Sequence, residues 1–283
     1  MVIKSRPLTV YPLPGDDTVT PPGGGWGGMN KPKKVQDAEG NIWVAKSNDF
    51  GANPRQENIH EVVTSHLLND ELDAASLTFR EGELVVGEER FPKILSPLRT
   101  DFRTLEKVPV SAVKDGDAAV RNTILASGLM GDWDSTGNNS NVWVLNDGTF
   151  MGADFGYAAL AGNSKGGVPY GNVKILKKFA TEENLEETTD FIKNLSDEKI
   201  HEMVDRVGQT WIHDWTPEME QDIASAMIHN RDEIRKQNLY TRYLDKENPK
   251  IDENWYIVTT QGGTGVWEPT VQQDQAQDSG RRA

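Results

Sequence analysis

Two carboxylates and three amides crowd one short stretch of this sequence. Asp132 and Asp134 stand in Gly131-Asp132-Trp133-Asp134, and Asn138, Asn139 and Asn141 follow closely. A further acid opens Asp154-Phe155-Gly156. Hard oxygen donors of this kind suit magnesium, which takes carboxylates and amide carbonyls. Asn, Asp and Gly also dominate ordinary turns, so the loop taken alone reads as an Asx-rich turn too. Far upstream, Val44-Ala45-Lys46 ends a strand-like run on a lysine. A strand-end lysine can reach the α and β phosphates of a nucleotide if a helix carboxylate holds it. Glu61 is the better partner and Glu57 the alternate. Taken singly, Lys46 reads as a surface lysine on an edge strand. Together these residues supply what phosphoryl transfer needs: a cation, a lysine on the phosphates, and an acid that orients the hydroxyl nucleophile or takes its proton.

The elements that must position these residues are legible from periodicity and turn chemistry. Lys33 to Lys46 reads as a hairpin about the turn Asp37-Ala38-Glu39-Gly40. Residues 57–68 follow the helical period, with Ile59, Val62, Val63 and Leu67 on one face. The string LTFREGELVVGEERFPKILSPL reads as strands split by Glu-Gly and Gly-Glu turns. Residues 117–130 suggest another helix. Val142–Leu145 and Thr149–Ala153 form a second hairpin about Asn146-Asp147-Gly148. A hairpin returns its end to its start, so Asp154 comes back beside the polar loop, where it and Asn141 can share one metal. From about residue 174 the pattern is helical, and the segments begin with acids or Ser/Thr caps.

Composition bounds the rest. The chain has 283 residues, 36% of them hydrophobic, which is enough for a real core. The net charge of −14 repels phosphate backbones and anionic lipid, so nucleic acid is excluded as the main partner. Lys31-Pro32-Lys33-Lys34 reads as solvated charge. The absence of cysteine excludes disulfides, thiolate zinc sites and cysteine nucleophiles. The N-terminus, broken by prolines, lacks the apolar region of a signal peptide. No run of about 18 apolar residues is present, so no stable membrane insertion is expected.

The order of these parts is that of a kinase. Residues 23–160 resemble the diverged, atypical kinase families, which include the HipA-type toxin kinases and the phosphatidylinositol 3/4-kinase-like group. Asn139-Ser140-Asn141-Val142-Trp143-Val144 resembles the loop string of the lipid kinases. Gly131-Asp132-Trp133-Asp134-Ser135-Thr136-Gly137 looks more like bacterial kinase-like proteins, and Asp154-Phe155-Gly156 matches the DFG metal motif. Glu61 to Leu68 resembles the αC-type helix of the HipA-like group. The resemblance implies that Asp134 is the catalytic acid, Asn141 and Asp154 the magnesium ligands, and Lys46 the phosphate-binding lysine. Asp132 competes with Asp134. Spacing leaves a second choice: the acid-to-Asn interval of five residues runs from Asp134 to Asn139, whereas Asn141 is seven away. No H-R-D tripeptide is present. The glycines Gly23 to Gly28, with Gly25 and Gly27 as candidate nucleotide contacts, do not spell G-x-G-x-x-G.

Other chemistries find less support. His60 and His66 are not on one helix face, so H-x-x-x-H zinc binding fails. His201, His213 and His229 read as structural or exposed, and Trp211 and Trp215 as core. No G-x-S-x-G, Walker A or Rossmann fingerprint is present. The expected fold is α+β, a two-lobed kinase-like fold with a small β-rich lobe over 23–100 and a helical lobe over 101–265. That second lobe carries the catalytic loop 131–141 and the metal motif 154–156. An extended arm (1–22) precedes the lobes and a disordered tail (266–283) follows them. The expected function is ATP- and magnesium-dependent phosphate transfer to a protein Ser or Thr. The resemblance suggests a bacterial toxin, effector or phage protein, sited in the cytoplasm or exported to a host cell. Three readings stay open beside it: an AMP transferase on the same fold, a lipid kinase, and an inactive kinase-like interaction protein.

Overall fold

Asp37 closes the first hairpin by serving four donors at once. It accepts from the backbone N–H groups of Glu39 and Asn41, from Asn41 Nδ2 and from the Trp43 indole, at 2.8–3.1 Å. The indole bond above all holds this carboxyl below the usual range, against the opposing effect of burial. The turn so fixed joins β2 (Lys33–Asp37) to β3 (Ile42–Lys46) in antiparallel register, Val35 opposite Trp43. The structure, a computed structural model, describes residues 6–15, 32–46, 54–132, 141–155, 158 and 173–236. All of them belong to one compact unit, Met1–Asp245; a second, Lys246–Ala283, lies outside the described residues.

Five strands close into a barrel in the order β1-β2-β3-β5-β4. Its first strand, β1 (Leu8–Pro12), comes from the proline-broken segment expected to be an arm. It pairs antiparallel with β2 and parallel with β4 (Arg80–Val86), with Val10 opposite Leu84. Proline is tolerated there because Pro7 precedes the strand and Pro12 ends it. A second expectation is corrected in β4. The Glu81-Gly82 pair is no turn; the strand runs straight through it to pair with β5 (Glu89–Pro97). A Cβ on Gly82 would stand 2.3 Å from Leu95 Cδ1, so the glycine admits a core side chain and breaks nothing. The turn at Gly87-Glu88 is real, with Gly87 at φ +64. Val10, Val35, Ala45 and Leu95 fill the barrel, flanked by Leu8, Trp43 and Leu84.

Helix α1 (Pro54–His66) follows β3, and its apolar stripe of Ile59, Val62 and Val63 is buried in a second, larger core. It ends in a π-helical turn, Leu67–Glu71. Beyond the barrel, β6 (Phe102–Thr104), β7 (Val142–Leu145) and β8 (Phe150–Gly152) form an antiparallel sheet. The Phe102 and Trp143 rings stack in it, with centroids 3.6 Å apart. Between β6 and β7 runs α2 (Gly116–Ile124), capped by Asp115 and extended by a π-helical turn over Leu125–Leu129.

The C-terminal part is helical: α3 (Val173–Phe179), α4 (Glu182–Lys193), α5 (Asp197–Trp211) and α6 (Pro217–Lys236). Thr181 and Asn184 form a reciprocal capping box on α4, and Ser196 caps α5. Arg231 of α6 is buried and paired to Asp197 and Asp232, and it also donates to the Leu195 carbonyl, which locks α6 against the α4–α5 turn. The chain is thus α+β, β-rich first and helical last. No helix among the described residues is long and apolar enough to cross a membrane.

Candidate phosphate and metal site

Lys46, the last residue of β3, brings three elements to one point. Its ammonium lies 2.5 Å from Glu61 Oε1 on α1 and 2.9 Å from Asp154 Oδ1 just past β8. The Phe79 ring stands below it, 5.2 Å from Nζ to centroid. The Glu61 side chain has no exposed surface, Lys46 has 12% and Asp154 38%. Burial alone would depress the lysine pKa. The charges of Asp154 and Glu61, with a hydrogen bond to each, more than reverse that and raise it, so the ammonium is permanent. Glu61 Oε1 also faces the Phe155 N–H at 3.5 Å, so one buried carboxylate touches both the lysine and the DFG segment. Glu57, the alternate partner, is buried one turn earlier; burial raises its pKa, opposed by the His60 charge.

The second hairpin delivers Asp154. Val142 pairs with Gly152, and the Ala153 N–H donates to the Asn141 carbonyl at 2.9 Å. The backbones of Asn141 and Asp154 therefore run side by side. Asp132 takes a different place. Its N–H closes onto the Ala126 carbonyl at 3.0 Å after the π-helical turn, and its side chain is wholly buried. Asp132 is the residue that competes with Asp134 for the part of catalytic acid. Gly131 makes the bend before it at φ +65, a conformation side-chain-bearing residues adopt at a cost. Asn230 of α6 donates to the Leu129 carbonyl at 3.0 Å and secures the same bend from behind. Asp134, Asn138, Asn139, Gly25, Gly27 and Gly156 lie outside the described residues.

Among the described residues, no group of three or more His, Asp or Glu side chains stands close enough to hold a metal ion. The donor chemistry at Asp154 still fits magnesium: a carboxylate with open surface, beside an asparagine, next to a fixed cation. That donor set would be completed by a substrate's phosphate oxygens and water, as magnesium sites commonly are.

Sequence reasoning missed what holds α1. Gln56 Nε2 donates to Asp222 Oδ2 of α6 at 2.7 Å, and His60 Nε2 lies 3.5 Å from the same oxygen. His60 Nδ1 meets the Ala158 carbonyl at 3.1 Å. The bond from His60 above all lowers the Asp222 pKa, against burial. Nearby, the His66 ring stacks on Trp211 of α5 with centroids 3.8 Å apart, and Glu81 of β4 accepts the His213 N–H. In the sequence His60 adjoins Glu61, and nothing else there marks it. Its partners are remote in sequence and carry no local pattern.

No family model matches the sequence, and no curated protein matches it. Among solved structures, the chain is similar to the Helicobacter pylori proinflammatory kinase CtkA. Identity is 10% and the TM-score 0.43, over 85% of this chain and 98% of that one. A likeness that distant leaves the functional reading to the side chains.

Proposed function

We propose that this chain is an ATP- and magnesium-dependent phosphotransferase with a kinase-like cleft, acting on a Ser or Thr hydroxyl of a protein. One observation carries the reading: the largely covered Lys46 ammonium is held jointly by Glu61 of a helix and Asp154 of the DFG segment. An isolated surface lysine explains neither partner. Lys46 has three donors and these carboxylates engage two, leaving one for a phosphate oxygen. Asp154, with Asn141 or Asn139, would hold the cation, and Asp134 would orient the hydroxyl. Magnesium, when bound, neutralises charge on the transferring phosphate. The −14 charge favours a protein substrate over anionic lipid and over nucleic acid. A toxin or effector role, in the cytoplasm or in a host cell, follows the family resemblance alone.

The test is heating with ATP, with and without magnesium, followed by mass analysis of modified protein. Magnesium-dependent stabilisation is expected, because a ligand that binds only the native state raises its stability. A gain of ~80 Da on the acceptor marks phosphoryl transfer, whereas ~329 Da marks adenylyl transfer. No stabilisation at millimolar ATP would return the chain to the class of kinase-like interaction proteins.

A further inference from the structure

Helix α1 presents two consecutive residues to the segment that carries Asp154. Glu61 takes the front: it touches Lys46 and faces the Phe155 N–H. His60 takes the back: its Nδ1 lies 3.1 Å from the Ala158 carbonyl, with His60 2% exposed and Ala158 fully buried. A carbonyl only accepts, so Nδ1 must carry the proton and donate. The far nitrogen, Nε2, faces Asp222 of α6 at 3.5 Å, and Gln56 Nε2 secures that carboxylate at 2.7 Å. Asp222 thereby fixes the ring plane from a third element. The chain from Asp154 to Ala158 is thus gripped at both ends, by Lys46 and Glu61 at one and by His60 at the other.

We infer that His60 is a positioning residue for Asp154, orienting the proposed metal ligand through the Ala158 carbonyl while Gln56 and Asp222 orient His60. The logic is that of outer-shell support: a group that fixes a ligand's backbone sets the geometry at which a cation is taken. His60 touches neither substrate nor cation. Its effect on Asp154 is transmitted through Ala158, whose N–H donates to the carbonyl of Phe155, the neighbour of Asp154, at 2.9 Å. The same grip places α1 on α6, so the Lys46–Glu61 pair is set by the C-terminal helices as well as by the barrel.

The inference rests on reading Asp154 as a metal ligand, and the test separates the two. His60→Gln puts an amide near the position of Nε2, keeping a donor for Asp222 and losing the one for Ala158. His60→Asn places its amide near Nδ1 and restores the Ala158 bond. Hydrogen–deuterium exchange is measured on the peptide covering Asp154–Ala158 in the nucleotide-free chain. Magnesium is then titrated at fixed ATP with thermal stabilisation as readout. His60→Gln is expected to exchange faster in that peptide and to need roughly tenfold more magnesium for half-effect; His60→Asn is expected to recover both. Wild-type exchange in His60→Gln, or an Asn variant as impaired as the Gln variant, overturns the inference. Absence of any magnesium effect in the wild type sinks the proposed function instead, and the exchange arm still decides whether His60 holds the segment.

Discussion

Lys46 and Asp154, separated by 108 positions in the sequence, meet in a 2.9 Å ion pair. The lysine arrives on the last residue of a barrel strand and the aspartate on the first residues after an unrelated hairpin. Glu61 stands between them in sequence and joins the same ammonium. Under the proposed function, the third donor of this ammonium meets a phosphate oxygen.

Removing the ammonium leaves Glu61 as a buried charge. Lys46→Met should therefore destabilise the fold by about 3–5 kcal/mol, the cost of an uncompensated interior ion. Lys46→Met combined with Glu61→Gln should be less destabilised than the single variant, because no buried charge remains. Urea unfolding of the two variants and the wild type decides this. Equal stability for single and double variants would mean that Glu61 is not desolvated as described.

Asp154 offers the converse case. Its side chain is more than one-third exposed, so Asp154→Asn should change stability by less than about 1 kcal/mol. The same variant should lose the magnesium-dependent part of the stabilisation by ATP. Differential scanning with ATP, with and without magnesium, reads both quantities in one series. A variant that keeps the full magnesium effect removes Asp154 from the metal site.

Asp222 predicts a pH dependence with a definite sign. Its pKa is lowered on folding, chiefly by the His60 hydrogen bond, from an ordinary value of 3.8. The unfolded chain thus takes up the proton first on acidification. The stability it contributes is present above that ordinary value and is lost as pH falls through the lowered folded one. The stability gap between wild type and Asp222→Asn should be fully open above about pH 4 and narrow as pH falls toward about pH 3. A gap that is constant over this range would show that the carboxylate charge plays no part.

Gly131 tests the bend before Asp132. Gly131→Ala requires a left-handed conformation costing about 1–2 kcal/mol. It also sets a Cβ 2.8 Å from Asn230 Nδ2, the group that holds the Leu129 carbonyl. The expected loss in urea unfolding is at least about 1–2 kcal/mol. Asn230→Ala should relieve the crowding, so that the double variant loses less than the two singles added together.

Much of this was legible before the structure, and the division follows sequence distance. The first hairpin is written in Asp37 and Gly40, and the second in Asp147, whose carboxylate accepts the Thr149 N–H. Caps at Asp115, Thr181 and Ser196 mark three helix starts. These are local signals, settled within a few residues. Gly82 misled because a glycine between two glutamates looks like a turn; the reason for it is Leu95 on the neighbouring strand. Strand β1 was hidden by its prolines and by pairing with distant partners. The pairing of Lys46 with Glu61 was readable, with Glu57 as its alternate; that Asp154 joins the same ammonium was not. The hold of His60 and Asp222 on α1 was not, since nothing near Asp222 in the sequence points to Ala158.

The parallel seam between Val10 and Leu84 gives the barrel a schedule. A hairpin such as β2–β3 needs only its own turn and can form within microseconds of being made. The β1–β4 contact has to close a long loop, and loop closure must be met before the pairing returns anything. During synthesis, β1 can pair with β2 early, but its other edge waits while β3 and α1 are produced. Until β4 emerges, its hydrogen-bonding edge stays open to other chains. The edge of β1 that β2 does not cover is therefore among the last to be closed, and refolding yield should depend on protein concentration more steeply than the finished barrel, which has no open edge, would suggest.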